Sequence, residues 1–140
     1  MKREARTLIV DDSRAILRLM ENMLTGNGVS DVTKAGDGFR ALDYFQEALL
    51  NGKPYTLVFL DIVMPVLDGQ KVLKRMRAME NDAGITGEDK ATIVMATSLN
   101  STSDMMDALI EGDCSDYLVK PFEAADLRGV LVRQGFADPV

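Results

Sequence analysis

The chain has no histidine and no tryptophan among its 140 residues, and only one cysteine, Cys114. Without histidine it lacks the commonest general base and the commonest transition-metal ligand, so any chemistry rests on carboxylates, hydroxyls and lysine. A single cysteine builds neither an internal disulfide nor a cysteine zinc site, which points to a reducing compartment, read here as the cytoplasm. No apolar run approaches the ~20 residues of a membrane span, and the charged first six residues lead into no signal-like apolar stretch. Basic charge is also in deficit: 16 Lys and Arg against 22 Asp and Glu leave a net charge of −6. That is the wrong sign for gripping a phosphate backbone, so neither nucleic acid nor membrane is an expected partner.

What is present is an ordinary globular composition, 46% apolar, enough for one core. Residues 7–10 form a short apolar run that stops at Asp11-Asp12-Ser13, read as a first strand. From Arg14 a helix is predicted with Ile16, Leu19, Met20, Met23 and Leu24 on its buried face, ended by Gly26-Asn27-Gly28. A strand over 29–35 leads through Gly36-Asp37-Gly38 into a second helix with Phe39, Leu42, Phe45 and Leu49 on one side. The unbroken apolar run 57–60 suits a strand buried on both faces, and Asp61 ends it. Pro65 then forbids strand pairing, and Asp68-Gly69 starts a third helix with Val72, Leu73, Met76 and Met79 inward. Residues 80–91, polar and glycine-bearing, are expected as an extended surface loop. A fourth strand over 92–96 ends at Thr97-Ser98, a fourth helix is predicted near 103–111, a fifth strand over 117–119 ends at Lys120-Pro121, and a last helix carries Leu127, Val130 and Leu131. Met105 and Met106 are adjacent and cannot share one helix face, so one is assigned to the core and the other to a partner surface.

Five alternations of strand and helix with short connections call for an α/β fold, a parallel sheet with helices on both faces. All strand ends then share one edge, which brings together Asp11, Asp12, Asp61, Thr97 and Lys120. Three neighbouring carboxylates repel one another unless a cation joins them. An all-oxygen donor set favours a hard ion, Mg2+ (or Mn2+). Beside such an ion an aspartate can act as a nucleophile toward phosphorus, with Lys120 supplying positive charge and Thr97 a hydroxyl donor. Each residue also has a quieter reading: Asp61 as a solvated strand end, Tyr117 as a packed aromatic, Lys120 as a solvated lysine, Thr97 as strand filler. Asp68 reads as a turn or cap residue rather than a ligand.

Five segments in order carry a family resemblance: Val10-Asp11-Asp12-Ser13, Ala35-x-Asp37-Gly38-x-x-Ala41-Leu42, Asp61-x-x-Met64-Pro65-x-x-Asp68-Gly69, Thr97, and Tyr117-Leu118-Val119-Lys120-Pro121-Phe122. On these the chain resembles a response-regulator receiver domain of two-component signalling. The resemblance implies a doubly wound, flavodoxin-like (βα)5 fold with sheet order 2-1-3-4-5, a receiver domain over 5–135, and a short tail over 136–140 with no output domain. It implies Asp61 as phosphoacceptor, with Asp12, Asp61 and the Val63 carbonyl binding the metal and Asp11 holding a metal-bound water. Lys120 would pair with the phosphoryl group or, before it arrives, with Asp61, and Lys120-Pro121 would be a cis peptide. Thr97 and Tyr117 would move on phosphorylation and remodel the fourth helix, fifth strand and fifth helix. That face, with Met105, Met106, Leu109 and Tyr117, would be read by a separate partner protein.

The implied donor is a phosphohistidine on a histidine kinase or histidine phosphotransfer protein, and the implied assembly is a monomer or a phosphorylation-dependent dimer. The chain would be a switch rather than a turnover enzyme, assisting its own phosphorylation and slow dephosphorylation. Apolar Val63 and Leu99 beside the site imply slow loss of the phosphoryl group, since neither orients water. A phosphorelay shuttle, an aspartate-nucleophile phosphatase and a phosphorylation-independent interaction module are the alternative readings. Such phosphatases usually carry a second aspartate two residues after the nucleophile, where this chain has Val63. The path from Gly112 to Tyr117 is one residue longer than the family pattern.

Overall fold

The computed structural model describes residues 3–98 and 114–139, with Thr97 described by its backbone alone. The elements are β1 (Arg6–Val10), α1 (Arg14–Gly26), β2 (Asp31–Ala35), α2 (Gly38–Leu50), β3 (Leu57–Asp61), α3 (Gly69–Asp82), a 3-10 turn (Gly87–Asp89), β4 (Thr92–Ser98), β5 (Asp116–Lys120) and α4 (Ala124–Arg133). The strands pair in parallel in the order β2-β1-β3-β4-β5, as the resemblance implied. The helix predicted near 103–111, with Met105, Met106 and Leu109, and the neighbouring Leu99 lie outside the described residues.

Local chemistry starts each helix. The side chains of Ser13, Asp37 and Asp68 accept from the backbone N–H of Ile16 (3.3 Å), Arg40 (2.8 Å) and Lys71 (3.0 Å), satisfying donors that a helix start leaves open. Asp68 is thus a cap, as its sequence context predicted. Before α4, Glu123 and Asp126 cap each other reciprocally.

Strand alternation divides the core into two layers. Leu8, Val10, Val58 and Leu60 pack with α2 and α3 through Phe45, Leu73 and Met76. Ile9, Leu57 and Phe59 face α1 and α4 through Met20, Leu24, Leu127 and Leu131. Every residue of β3 is buried, as the unbroken apolar run demanded.

Three expectations need correction. Leu19 is 42% exposed while Leu17 is buried, and Phe39 is 51% exposed while Ala41 and Ala48 are buried. At ~100° per residue, Leu19 and Phe39 lie roughly 120–130° round from the centres of their buried stripes, and small alanines complete the second stripe where a large residue was assumed. Residues 80–91 are not wholly a surface loop: α3 runs to Asp82, and Glu80 is 2% exposed, bonded to Arg77 (2.7 Å) and accepting from the Ala91 N–H (2.6 Å). Phe136 and Ala137 are buried against the α1 and α4 layer.

Candidate functional site

Parallel pairing puts the ends of β1, β3, β4 and β5 at one edge. Asp61 pairs in register with Ala96, and Ser98 with Lys120. Asp11 follows β1 and is 2% exposed; its N–H donates to the Ala35 carbonyl (3.2 Å) and its Oδ1 accepts from the Ser13 N–H (2.9 Å). Asp61 is 6% exposed, and its Oδ1 accepts from the Val63 N–H (3.3 Å). Asp12 is exposed beside them. One carboxylate oxygen from each of Asp11, Asp12 and Asp61 lies within 4.8 Å of the others.

Lys120 enters from β5 over a cis Lys120-Pro121 peptide. Its Nζ donates to Asp11 Oδ2 at 2.7 Å and lies 3.4 Å from Asp61 Oδ1. The nearer partner is therefore Asp11, where the sequence reading had named Asp61; the ammonium bridges both. Burial works against the Lys120 charge, but the bond to Asp11 and the two carboxylate charges outweigh it and hold its pKa above the ordinary value. Burial and the Asp11 charge push the Asp61 carboxyl up to about 6, against the opposing pull of Lys120 and the Val63 N–H.

Three carboxylates thus face one ammonium, and the Asp61 carboxyl is raised first by burial and then by the neighbouring Asp11 charge. An all-oxygen cluster of this kind fits a hard divalent cation. Thr97 stands on β4 at the same edge, opposite Val119, with its side chain outside what is described. Tyr117 stands on β5 at 40% exposure.

Sequence reasoning took Gly69 as part of a turn and helix start, and not for its closeness to β3. Its N–H donates to the Ile62 carbonyl (2.8 Å), and a Cβ there would run into the Asp61 carbonyl oxygen, so glycine lets α3 close against the end of β3 and fixes the loop that carries Val63. It also missed the ties between β5 and α4, where Asp116 accepts from Arg133 (3.1 Å) and Gln134 (3.0 Å). Burial opposes the Asp116 charge, but these bonds prevail and hold its carboxyl below the usual range. Both contacts are long-range or three-dimensional, and no spacing rule announces them. No helix among the described residues is long and apolar enough to cross a membrane.

The family model for the response regulator receiver domain matches residues 7–132. Response regulator MprA of Mycobacterium sp. (strain KMS) is 38% identical over 122 residues, covering 87% of this chain and 46% of the relative. The chain spans about half the length of the curated relatives it matches. Among solved structures, Vibrio cholerae chemotaxis protein CheY4 is 27% identical with a TM-score of 0.77, covering 94% of this chain and 98% of that one. A chain of the co-crystal structure of the Saccharomyces cerevisiae histidine phosphotransfer protein Ypd1 and the receiver domain of its downstream response regulator Ssk1 is 27% identical with a TM-score of 0.80, covering 96% and 91%.

Proposed function

The chain belongs to the response regulator receiver domain family, and on that premise we propose that it is a phosphorylation-dependent cytoplasmic switch of two-component signalling with Asp61 as phosphoacceptor. The observation that carries this reading is the cluster of Asp11, Asp12 and Asp61 within 4.8 Å, with Lys120 against two of the three.

An Asp61 carboxylate oxygen attacks the phosphorus of a phosphohistidine on a histidine kinase or phosphotransfer protein. The new O–P bond forms as the P–N bond breaks, and the imidazole leaves with the electron pair. Asp12, Asp61 and the Val63 carbonyl, with Asp11 through a water, would hold Mg2+ or Mn2+, whose chemistry when bound is to neutralise the carboxylates and the incoming phosphoryl oxygens. Lys120 turns part of its charge from Asp11 to a phosphoryl oxygen, which the bridging position already allows. Thr97 donates its hydroxyl to another oxygen, and Tyr117 follows it inward. The surface carrying Met105, Met106, Leu109 and Tyr117 then changes, and a downstream protein reads it. Val63 and Leu99, being apolar, leave attacking water unoriented, so the phosphoryl group is lost slowly.

Intact-mass analysis after incubation with acetyl phosphate and Mg2+ tests the reading. One added phosphoryl group on the native chain and none on Asp61→Asn is the expected result; an unmodified native chain, or a modified Asp61→Asn, overturns it.

A further inference from the structure

We propose that the edge where the strands begin carries a binding site for a phosphorylated small molecule of mononucleotide size, held by Arg3, Arg6 and Lys53. A basin of about 920 Å3 opens there, between the starts of β1, β2 and β3 and the buried Phe136. Small-molecule sites fall in that range of size. Arg6 opens β1 and Asp11 follows it, so the basin lies roughly 16 Å from the carboxylate cluster and is separate from it.

Charge at this edge runs against the rest of the chain. Arg3, Arg6 and Lys53 line the basin with two carboxylates, Glu4 and Asp31, in a protein whose net charge is −6. Among the described residues, the one ion pair within this group joins Arg6 to Asp31 at 3.5 Å. The exposed Lys53 ammonium has no hydrogen-bonding or carboxylate partner among the described residues.

Both arginines are held in place by neutral groups. Arg3 Nη1 donates to Thr92 Oγ1 (3.1 Å) and to the Gln134 carbonyl (3.4 Å), and its guanidinium lies 4.4 Å from the centre of the Phe136 ring. Arg6 Nη1 donates to the Lys53 carbonyl (2.8 Å), while its Nε is buried and makes no hydrogen bond among the described residues. Neutral acceptors thus fix two guanidinium forks without cancelling their charge, and such forks match the oxygens of a phosphate.

The carboxylates narrow the class of ligand. Inorganic phosphate would answer the cations but meet Glu4 and Asp31 as like charges. A mononucleotide carries its phosphate on a sugar and base whose hydroxyl and amino groups donate to carboxylates, and a base stacks on a planar guanidinium such as that of Arg3. Ser30 lines the same basin, exposed and with a hydroxyl that has no partner among the described residues.

Isothermal titration and backbone NMR on the full chain in chelator test this, with AMP, adenosine and inorganic phosphate as probes. AMP is expected to bind saturably and to shift the amide signals of Gly28, Ser30, Lys53 and Thr56, with adenosine and inorganic phosphate each weaker by about tenfold or more. Lys53→Gln and Arg3→Gln should each weaken AMP binding about tenfold. Lys53→Gln changes an exposed side chain without a polar partner among the described residues, so its effect reports on the site rather than on folding. No saturable binding of AMP, shifts confined to the strand-end edge around Asp61, or an affinity unchanged in both variants overturns the proposal. Inorganic phosphate or adenosine binding as tightly as AMP overturns it too, the first by leaving a plain anion site and the second by removing the phosphate from recognition.

Discussion

Burial and the charge of Asp11 raise the Asp61 carboxyl from 3.8 to about 6 in the fold. Between those values the folded state holds a proton that the unfolded state has released, so this group's contribution to stability falls as pH rises through that window. Above about pH 6 the ionised carboxylate costs the metal-free fold roughly 2–3 kcal/mol. Asp61→Asn should therefore stabilise the protein by about that amount near pH 7.5 in chelator, and by little near pH 3, below both values, where the native side chain is mostly neutral in both states. Urea unfolding at the two pH values measures it, and an equal gain at both would contradict the assignment. The same proton must leave when a cation binds, so apparent Mg2+ affinity should fall with acidification below about pH 6.

At the scale of elements, the active edge is held by contacts made some distance from it. Gly69 lets α3 close on the end of β3, and an added methyl would strike the Asp61 carbonyl. Gly69→Ala should cost about 2–3 kcal/mol in thermal or urea unfolding and slow phosphoryl uptake from acetyl phosphate, because the loop bearing Val63 must shift. At the opposite edge Glu80 joins α3 to the start of β4, pairing with Arg77 and accepting from the Ala91 N–H. Glu80→Ala leaves Arg77, 12% exposed at its side chain, without that carboxylate and the buried Ala91 N–H without this acceptor. The expected loss is about 3–5 kcal/mol, measured by urea unfolding, with little change in Mg2+ affinity if the fold is retained.

For the whole molecule, the two ends of the described chain close on each other at the edge where the strands begin. The Arg3 N–H donates to the Gly135 carbonyl (2.6 Å), and its guanidinium lies 4.4 Å from the centre of the Phe136 ring. The strand-end edge, by contrast, holds like charges together in the absence of metal, so ligand binding and global stability are coupled. Mg2+ at about 100 times its dissociation constant should stabilise the fold by about 2.7 kcal/mol, a rise in melting temperature of about 8 °C for a chain of this size. Calorimetry with and without the ion measures the shift, and Asp12→Ala should remove most of it.

The order of the described elements, the parallel sheet and the carboxylates at its strand ends were legible from residues alone, because period-2 and period-3.6 apolar patterns and the abrupt stops at Asp11, Asp61 and Lys120 are local signals. Tertiary packing decided the rest. It chose Leu17 over Leu19 and the alanines of α2 over Phe39, since the side of a helix that faces the sheet depends on where the sheet lies. It buried Glu80, whose partners at Ala91 and Arg77 make a charged residue acceptable inside. It set Lys120 nearer Asp11 than Asp61, a difference of 2.7 against 3.4 Å that depends on how three strands come side by side. Chain-local chemistry specifies which elements form; the distances between groups far apart in the chain exist only once those elements have packed.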